Sequence, residues 1–214
     1  MPSTLRIGAI ILCGGRSSRM GTPKAALRFG DDTLLQRVVR LVREGIAGPT
    51  VVVAAPQQEL PPLAPDVSTT IDALEGNGPM QGLHAGLTAL VGRCDAAFVA
   101  GCDHPLLRPE FVRRVCERLE NGDAAVPLLA GRLHPLTACY RVQPTLPHVA
   151  KLLAANRLRV TDLFALINTR LIDETSLREV DPELESVRNV NTPEEYQTAL
   201  RDAGFTPTEG SETQ

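Results

Sequence analysis

The chain has 214 residues, enough for one domain of ordinary size. Its 43% hydrophobic and 22% charged residues supply a single core and exclude wholesale disorder. A formal net charge of −3 argues against a protein that coats a polyanion, and 3% aromatics without Trp argue against stacking platforms for single-stranded nucleic acid.

Taken in chain order, short β-rich runs alternate with longer helical periods, which predicts an α/β domain with a mainly parallel sheet. No signal-peptide layout opens the chain and no apolar run reaches the roughly 18 residues that span a bilayer, so a cytoplasmic protein is expected. Residues 7–13 form a continuous apolar run, the pattern of a central strand buried on both faces. Residues 34–46 carry a helical apolar stripe, and Thr33 with Gln36 fits the capping box that opens such a helix. Strands are expected at 50–55 and 68–71, separated by a loop with Pro56, Pro61, Pro62 and Pro65. A helix at 82–91 and a strand at 96–101 follow, and Pro109 and Gly122 are expected to bracket the next helix. The second half predicts strands near 124–129 and 135–141 around a turn at Gly131. Helices at 145–155 and 161–167 and a last strand at 170–172 come next. Thr192, Pro193 and Glu195 combine Pro at the first helical position with a second capping box. With no repeat and no linker, one domain over 1–204 and a frayed polar tail over 205–214 are expected.

Five cysteines (Cys13, Cys94, Cys102, Cys116, Cys139) form no CxxC pair, and most lie in or beside apolar runs. They read as small buried hydrophobes, not as a disulfide framework or a zinc site. Among the cations, arginine has displaced lysine nearly everywhere: Lys24 and Lys151 are the two that remain.

The chemistry concentrates in Leu12-Cys13-Gly14-Gly15-Arg16-Ser17-Ser18-Arg19-Met20-Gly21-Thr22-Pro23-Lys24, directly after the first strand. Open α/β sheets bind ligands at the carboxyl ends of their strands. Adjacent glycines let backbone N–H groups approach phosphate oxygens, and Arg16, Arg19 and Lys24 add positive charge. The spacing fits neither G-x-G-x-x-G nor G-x-x-x-x-G-K-[ST]. Basic residues also crowd into the first 45 positions, eight against three acidic ones, which points to a local anion site on an acidic protein. Part of that excess belongs to the solvated face of the 34–46 helix.

This loop resembles the signature loop of the small nucleotidyltransferases of molybdenum cofactor synthesis. Gly78-Pro79-Met80-Gln81-Gly82, Cys102-Asp103-His104-Pro105, His134-Pro135 and Asn189-Val190-Asn191-Thr192-Pro193-Glu194 resemble further pieces of the same group, in the same order. The loop alone is shared with sugar-phosphate and polyol-phosphate nucleotidyltransferases. Gly14-Gly15 together with the Asn-x-Asn-Thr-Pro-Glu stretch tilts the resemblance towards the molybdenum cofactor guanylyltransferases. The resemblance implies a Rossmann-like open, mostly parallel sheet with helices on both faces, and GMP transfer from GTP to molybdopterin with release of pyrophosphate and dependence on Mg²⁺. It implies nucleotide contacts from Leu12, Cys13, Gly14 and Gly15, with Arg19 and Lys24 near the phosphates. Asp72 would be another nucleotide contact, Asp103 the metal-binding carboxylate, and Asn189 and Asn191 the acceptor side. One departure is visible: where some members carry Asn after the second strand, this chain reads Val53-Ala54-Ala55.

Physical chemistry supports the same cast. A phosphate monoester is already an anionic nucleophile, so the obstacle is to bring two polyanions together and to stabilise charge on the leaving pyrophosphate. Lys24 and glycine amides can neutralise that charge, and Asp103 can share a hard cation with phosphate oxygens. Each residue also has a plainer reading: Asp103 as a loop-turning carboxylate, Asp72 as a loop residue, and Asn189 and Asn191 as turn formers at a helix start. His104 and His134 read as hydrogen-bonding groups and not as a metal pair. Lys151, Arg157 and Arg159 read as an exposed helix end or as contacts to an anionic pterin. The alternatives are CTP in place of GTP, another small phosphorylated acceptor, or a non-catalytic nucleotide-binding adaptor in molybdenum enzyme assembly. Cofactor-delivery or molybdoenzyme chaperone proteins are the expected protein partners, with no nucleic acid and no membrane.

Overall fold

The computed structural model describes residues 5–14, 23–72 and 78–206. Strand β1 (Ile7–Leu12) is buried except at its two end residues, as its apolar run requires. After Lys24 a small hairpin of β2 (Arg28–Phe29) and β3 (Asp32–Thr33) leads into helix α1 (Leu34–Gly45). Thr33 and Gln36 close the capping box at its start. Strands β4 (Thr50–Ala54) and β5 (Val67–Ile71) follow, then α2 (Pro79–Leu90), β6 (Ala96–Gly101) and α3 (Pro109–Glu117). The second half runs β7 (Ala124–Leu129), β8 (Arg132–Leu133), β9 (Thr137–Arg141), α4 (Val142–Ala154), β10 (Thr169–Ile172), α5 (Glu174–Arg178) and α6 (Pro193–Asp202).

The main sheet has the order β10-β7-β9-β6-β1-β4-β5, with β8 paired to β7. Its neighbours are parallel except where β9 runs against β6 and β7 and where β8 runs against β7. The Rossmann-like, mostly parallel reading therefore holds. Strands β8 and β9 run against β7 because Ala130 and Gly131, both with positive φ, reverse the chain after it. Helices α1, α3 and α5 pack on one face, and α2 and α4 on the other.

From β1 the chain steps outward to β4 and β5, then returns to lay β6 on the opposite side of β1. The strand order thus reverses between β1 and β6, the crevice where such sheets hold ligands. Leu12 is level with both Val53 of β4 and Gly101 of β6, so three neighbouring strands end side by side.

Helix α2 lies unusually close to β1. A Cβ on Gly86 would stand 2.4 Å from Ile10 Cγ2, and Ile10 is fully buried. We expect Gly86→Ala to lower unfolding stability by about 1–3 kcal/mol, the usual cost of overpacking, measured by urea titration.

A third, smaller core joins the β2–β3 hairpin and the start of α1 to α6 and the segment before it. Phe29 and Leu34 pack with Val190, Ala199 and Leu200, and the Tyr196 and Phe205 rings meet Phe29 edge to face. Phe205, where the polar tail begins, is thereby seated in this cluster. The Arg37 guanidinium covers the rings of Phe29 and Phe205 and donates to the Pro105 carbonyl at 2.6 Å. This cluster presses α6 and the segment before it against the hairpin that follows Lys24.

Several boundaries differ from the expectations. Helix α2 begins at Pro79, its first-turn proline, and not at 82. Helix α3 stops at Glu117, well before Gly122, because the left-handed position after it is filled by Glu120 at φ 43°. The helix expected at 161–167 is a 3₁₀ segment, Val160–Ala165. All five cysteines are buried. No helix among the described residues is long and apolar enough to cross a membrane.

Candidate active site

The end of β1 is tied to both neighbours. Cys13 N–H donates to the Val53 carbonyl at 2.9 Å, and Cys102 N–H donates to the Leu12 carbonyl at 2.9 Å. Gly14 follows, exposed, with its Cα face against Ala55. Gly15 and Arg19 lie outside the described residues. Where the chain re-enters, Pro23 precedes a 3₁₀ turn, Lys24–Ala26, whose buried Ala25 anchors it.

From that turn Lys24 reaches into the crevice. Its Nζ donates to Asn191 Oδ1 at 2.7 Å and lies 3.4 Å from Asp103 Oδ2. Asp103 stands two residues beyond β6. Its other oxygen is 3.2 Å from His104 Nδ1, and His104 is buried. Burial alone would raise the Asp103 pKa. The His104 and Lys24 contacts outweigh that and hold the carboxyl below its ordinary range, so it is ionised at neutral pH.

The segment bearing the asparagines is locked to the same loop. Val190 N–H donates to the Asp103 carbonyl at 2.8 Å, and the Val190 side chain is fully buried in the small core. Glu195 accepts from the backbone N–H of both Asn191 and Thr192 while Thr192 caps α6. Asn191 thus shapes the helix start with its backbone and meets Lys24 with its side chain. Asn189 sits one residue before Val190, beside the same loop.

Asp72 occupies a different edge of the crevice. Its N–H donates to the Ala54 carbonyl at the end of β4, and its Oδ2 lies 3.9 Å from where a Cβ on Gly82 would be. It leaves β5, two strands from β1, which at ordinary strand spacing is roughly 10 Å away. The structure brings Lys24, Asp103 and Asn191 together and leaves Asp72 apart, near the first turns of α2.

His134 is half-buried, and burial first, then Arg132 and His104, push its pKa down. Its imidazole is neutral at neutral pH. Arg157 pairs with Asp162 at 3.0 Å, consistent with the exposed-end reading of that loop. Gln58 was not anticipated. Its side chain joins the exits of β1 and β4, accepting from Ala55 N–H at 2.9 Å and donating to the Cys13 carbonyl at 3.2 Å.

Asp103 has the chemistry of a ligand for a hard cation: an ionised oxygen donor, 22% exposed, facing the crevice. Among the described residues no group of three or more His, Cys, Asp or Glu could cage a metal by itself.

A family model described as MobA-like NTP transferase domain matches residues 9–167. A "Probable molybdenum cofactor guanylyltransferase" of Pelotomaculum thermopropionicum is 33% identical over 88% of this chain and 89% of its own length. A protein of the same description from Methanosarcina acetivorans is 34% identical over 90% of this chain and 89% of its own. In fold, the chain resembles the crystal structure of molybdopterin-guanine dinucleotide biosynthesis protein A from Archaeoglobus fulgidus. The TM-score is 0.75 at 22% identity, over 92% of this chain and 98% of that one.

Proposed function

The chain belongs to the MobA-like NTP transferase domain family, and from that premise we propose that it transfers GMP from GTP to molybdopterin in the cytoplasm, releasing pyrophosphate. The observation that carries the reading is the meeting of Lys24, Asp103 and Asn191 at the ends of β1 and β6. A cation, a carboxylate suited to metal and a polar acceptor-side group stand within one crevice. The names of the two relatives, molybdenum cofactor guanylyltransferases, support guanylyl transfer with a molybdenum cofactor species as the acceptor.

In this reading the backbone of Leu12, Cys13 and Gly14 meets the base, and Asp72 adds a contact from the β5 edge. Lys24 would meet the phosphates, and Gly15 and Arg19 are assigned to them by the resemblance of their loop. A phosphate oxygen of molybdopterin attacks the α-phosphorus of GTP as the bond to pyrophosphate breaks. Lys24 holds the leaving phosphates and offsets their growing charge. Asp103 would hold Mg²⁺, which would supply charge neutralisation for the phosphates. Asn189 and Asn191 orient the acceptor, and Asn191 gives up its bond to Lys24 as substrate arrives.

Purified protein given GTP, Mg²⁺ and molybdopterin is expected to release pyrophosphate in step with the molybdopterin added; no release refutes the reading. GTP with Mg²⁺ should also raise the unfolding midpoint, with about 2.7 kcal/mol of stabilisation at 100-fold excess over Kd. An equal or larger rise with CTP would move the activity to cytidylyl transfer.

A further inference from the structure

The exit of β1 carries the backbone that the proposed function places against the base, and the exit of β4 lies beside it. Residues Val53, Ala54 and Ala55 offer no polar side chain there. The polar group at this edge comes instead from a turn built to deliver it. Pro56 and Gln57 occupy its two central positions, Gln57 has φ 60°, and Gln58 N–H donates to the Ala55 carbonyl at 3.2 Å. A positive φ on a non-glycine residue is strained, and it is maintained where the surroundings demand the conformation.

The turn folds Gln58 back over its own start. Gln58 Oε1 accepts from Ala55 N–H at 2.9 Å, while Nε2 donates to the Cys13 carbonyl at 3.2 Å and lies 3.4 Å from Cys13 Sγ. One carboxamide therefore uses both its ends to join the exits of β1 and β4, Gln58 itself lying 45 residues from Cys13 in sequence. Ala55 in turn sets the seat of Gly14: a Cβ there would stand 3.4 Å from Ala55 N. The Cys13 N–H is already engaged by Val53, and Gln58 takes one of the two lone pairs of the Cys13 carbonyl. The remaining lone pair is left with a fixed direction.

We propose that Gln58 is a positioning residue for base recognition, its carboxamide aiming the Cys13 carbonyl and seating Gly14 so that the edge accepts from guanine in preference to cytosine. The inference rests on the reading that residues 12–14 meet the base. Guanine presents N1–H and N2–H₂ donors on one edge, and donors of fixed geometry discriminate through acceptors of fixed direction. Cytosine lacks that paired donor edge, so loosening the carbonyl weakens GTP more than CTP.

The test compares Gln58→Met, which keeps the bulk and removes both hydrogen bonds, with Gln58→Glu, which keeps the acceptor for Ala55 and turns an oxygen against the Cys13 carbonyl. Calorimetric Kd for GTP and for CTP and the steady-state kcat and KM for GTP are measured on each full chain. Gln58→Met is expected to weaken GTP by about 3- to 10-fold, the worth of one hydrogen bond. KM follows, kcat stays within twofold, and CTP binding changes little; Gln58→Glu loses more. If the GTP-to-CTP ratio stays within twofold of the parent in the folded variants, the inference is overturned, and Gln58→Met decides alone if Gln58→Glu does not fold. A parent protein that binds both nucleotides alike overturns it as well. Absent pyrophosphate release from the parent refutes the proposed transfer, whereas the binding ratios judge Gln58 independently.

Discussion

Replacing Lys24 by Ala lowers kcat for pyrophosphate release by roughly 100-fold or more, the usual loss when one preorganised partner of developing charge is removed. The unfolding midpoint moves little. The turn that carries Lys24 is held by backbone bonds, Ala26 N–H to the Pro23 carbonyl at 3.0 Å and Leu27 N–H to the Lys24 carbonyl at 3.1 Å, and by buried Ala25. None of these needs the ammonium. Lys24→Arg restores the charge but spreads it over a planar fork, where a compact ammonium now sits 2.7 Å from Asn191 and 3.4 Å from Asp103. It recovers part of the rate. A rise in KM with kcat unchanged would show that Lys24 binds the ground state alone, and an undiminished rate would remove it from the reaction. Steady-state rates with thermal unfolding on the same samples separate these results.

How far such roles can be read from sequence depends on how local their cause is. Strands β1 and β6 announce themselves because six consecutive small or apolar residues fit a strand buried on both faces. The capping boxes at Thr33 and Thr192 are legible because all their partners lie within four residues. The β2–β3 hairpin has two residues in each strand, too few for a period, and α5 has five. The left-handed residue after α3 is Glu120, where a glycine would have given the signal. The loop after β1 is visible as an anion site, yet its meeting with Asn191 is not. Lys24 and Asn191 are 167 residues apart, and their contact depends on Phe29, Val190 and Leu200 packing into one cluster. No local pattern encodes that. Gln58 is one of several polar residues in a proline-rich loop, and its place depends on the Pro56-Gln57 turn that folds it back, which no periodicity marks.

Asp103→Asn is expected to cost as much as the loss of Lys24, again roughly 100-fold or more in rate, with the Mg²⁺ concentration needed for half-activity displaced upward. The substitution keeps the shape and removes the charge. The fold survives because the bond that docks the asparagine segment, Val190 N–H to residue 103, uses the backbone carbonyl and not the carboxylate. The carboxyl is held below its ordinary range although burial opposes this, through the contacts with His104 and Lys24. Its folded pKa being depressed, its contribution to stability is complete at neutral pH and is lost as pH falls through the folded value. Above that the Asp103 charge is constant, so in the parent a decline of activity between pH 7 and 6 belongs to another group. In Asp103→Asn the acid-side loss of stability should shrink, seen as a flatter unfolding midpoint below the usual carboxylate range. Full activity at unchanged Mg²⁺ demand would remove Asp103 from the metal site. A flattened acid limb with unchanged activity would leave it as the structural partner of Lys24 and His104 alone.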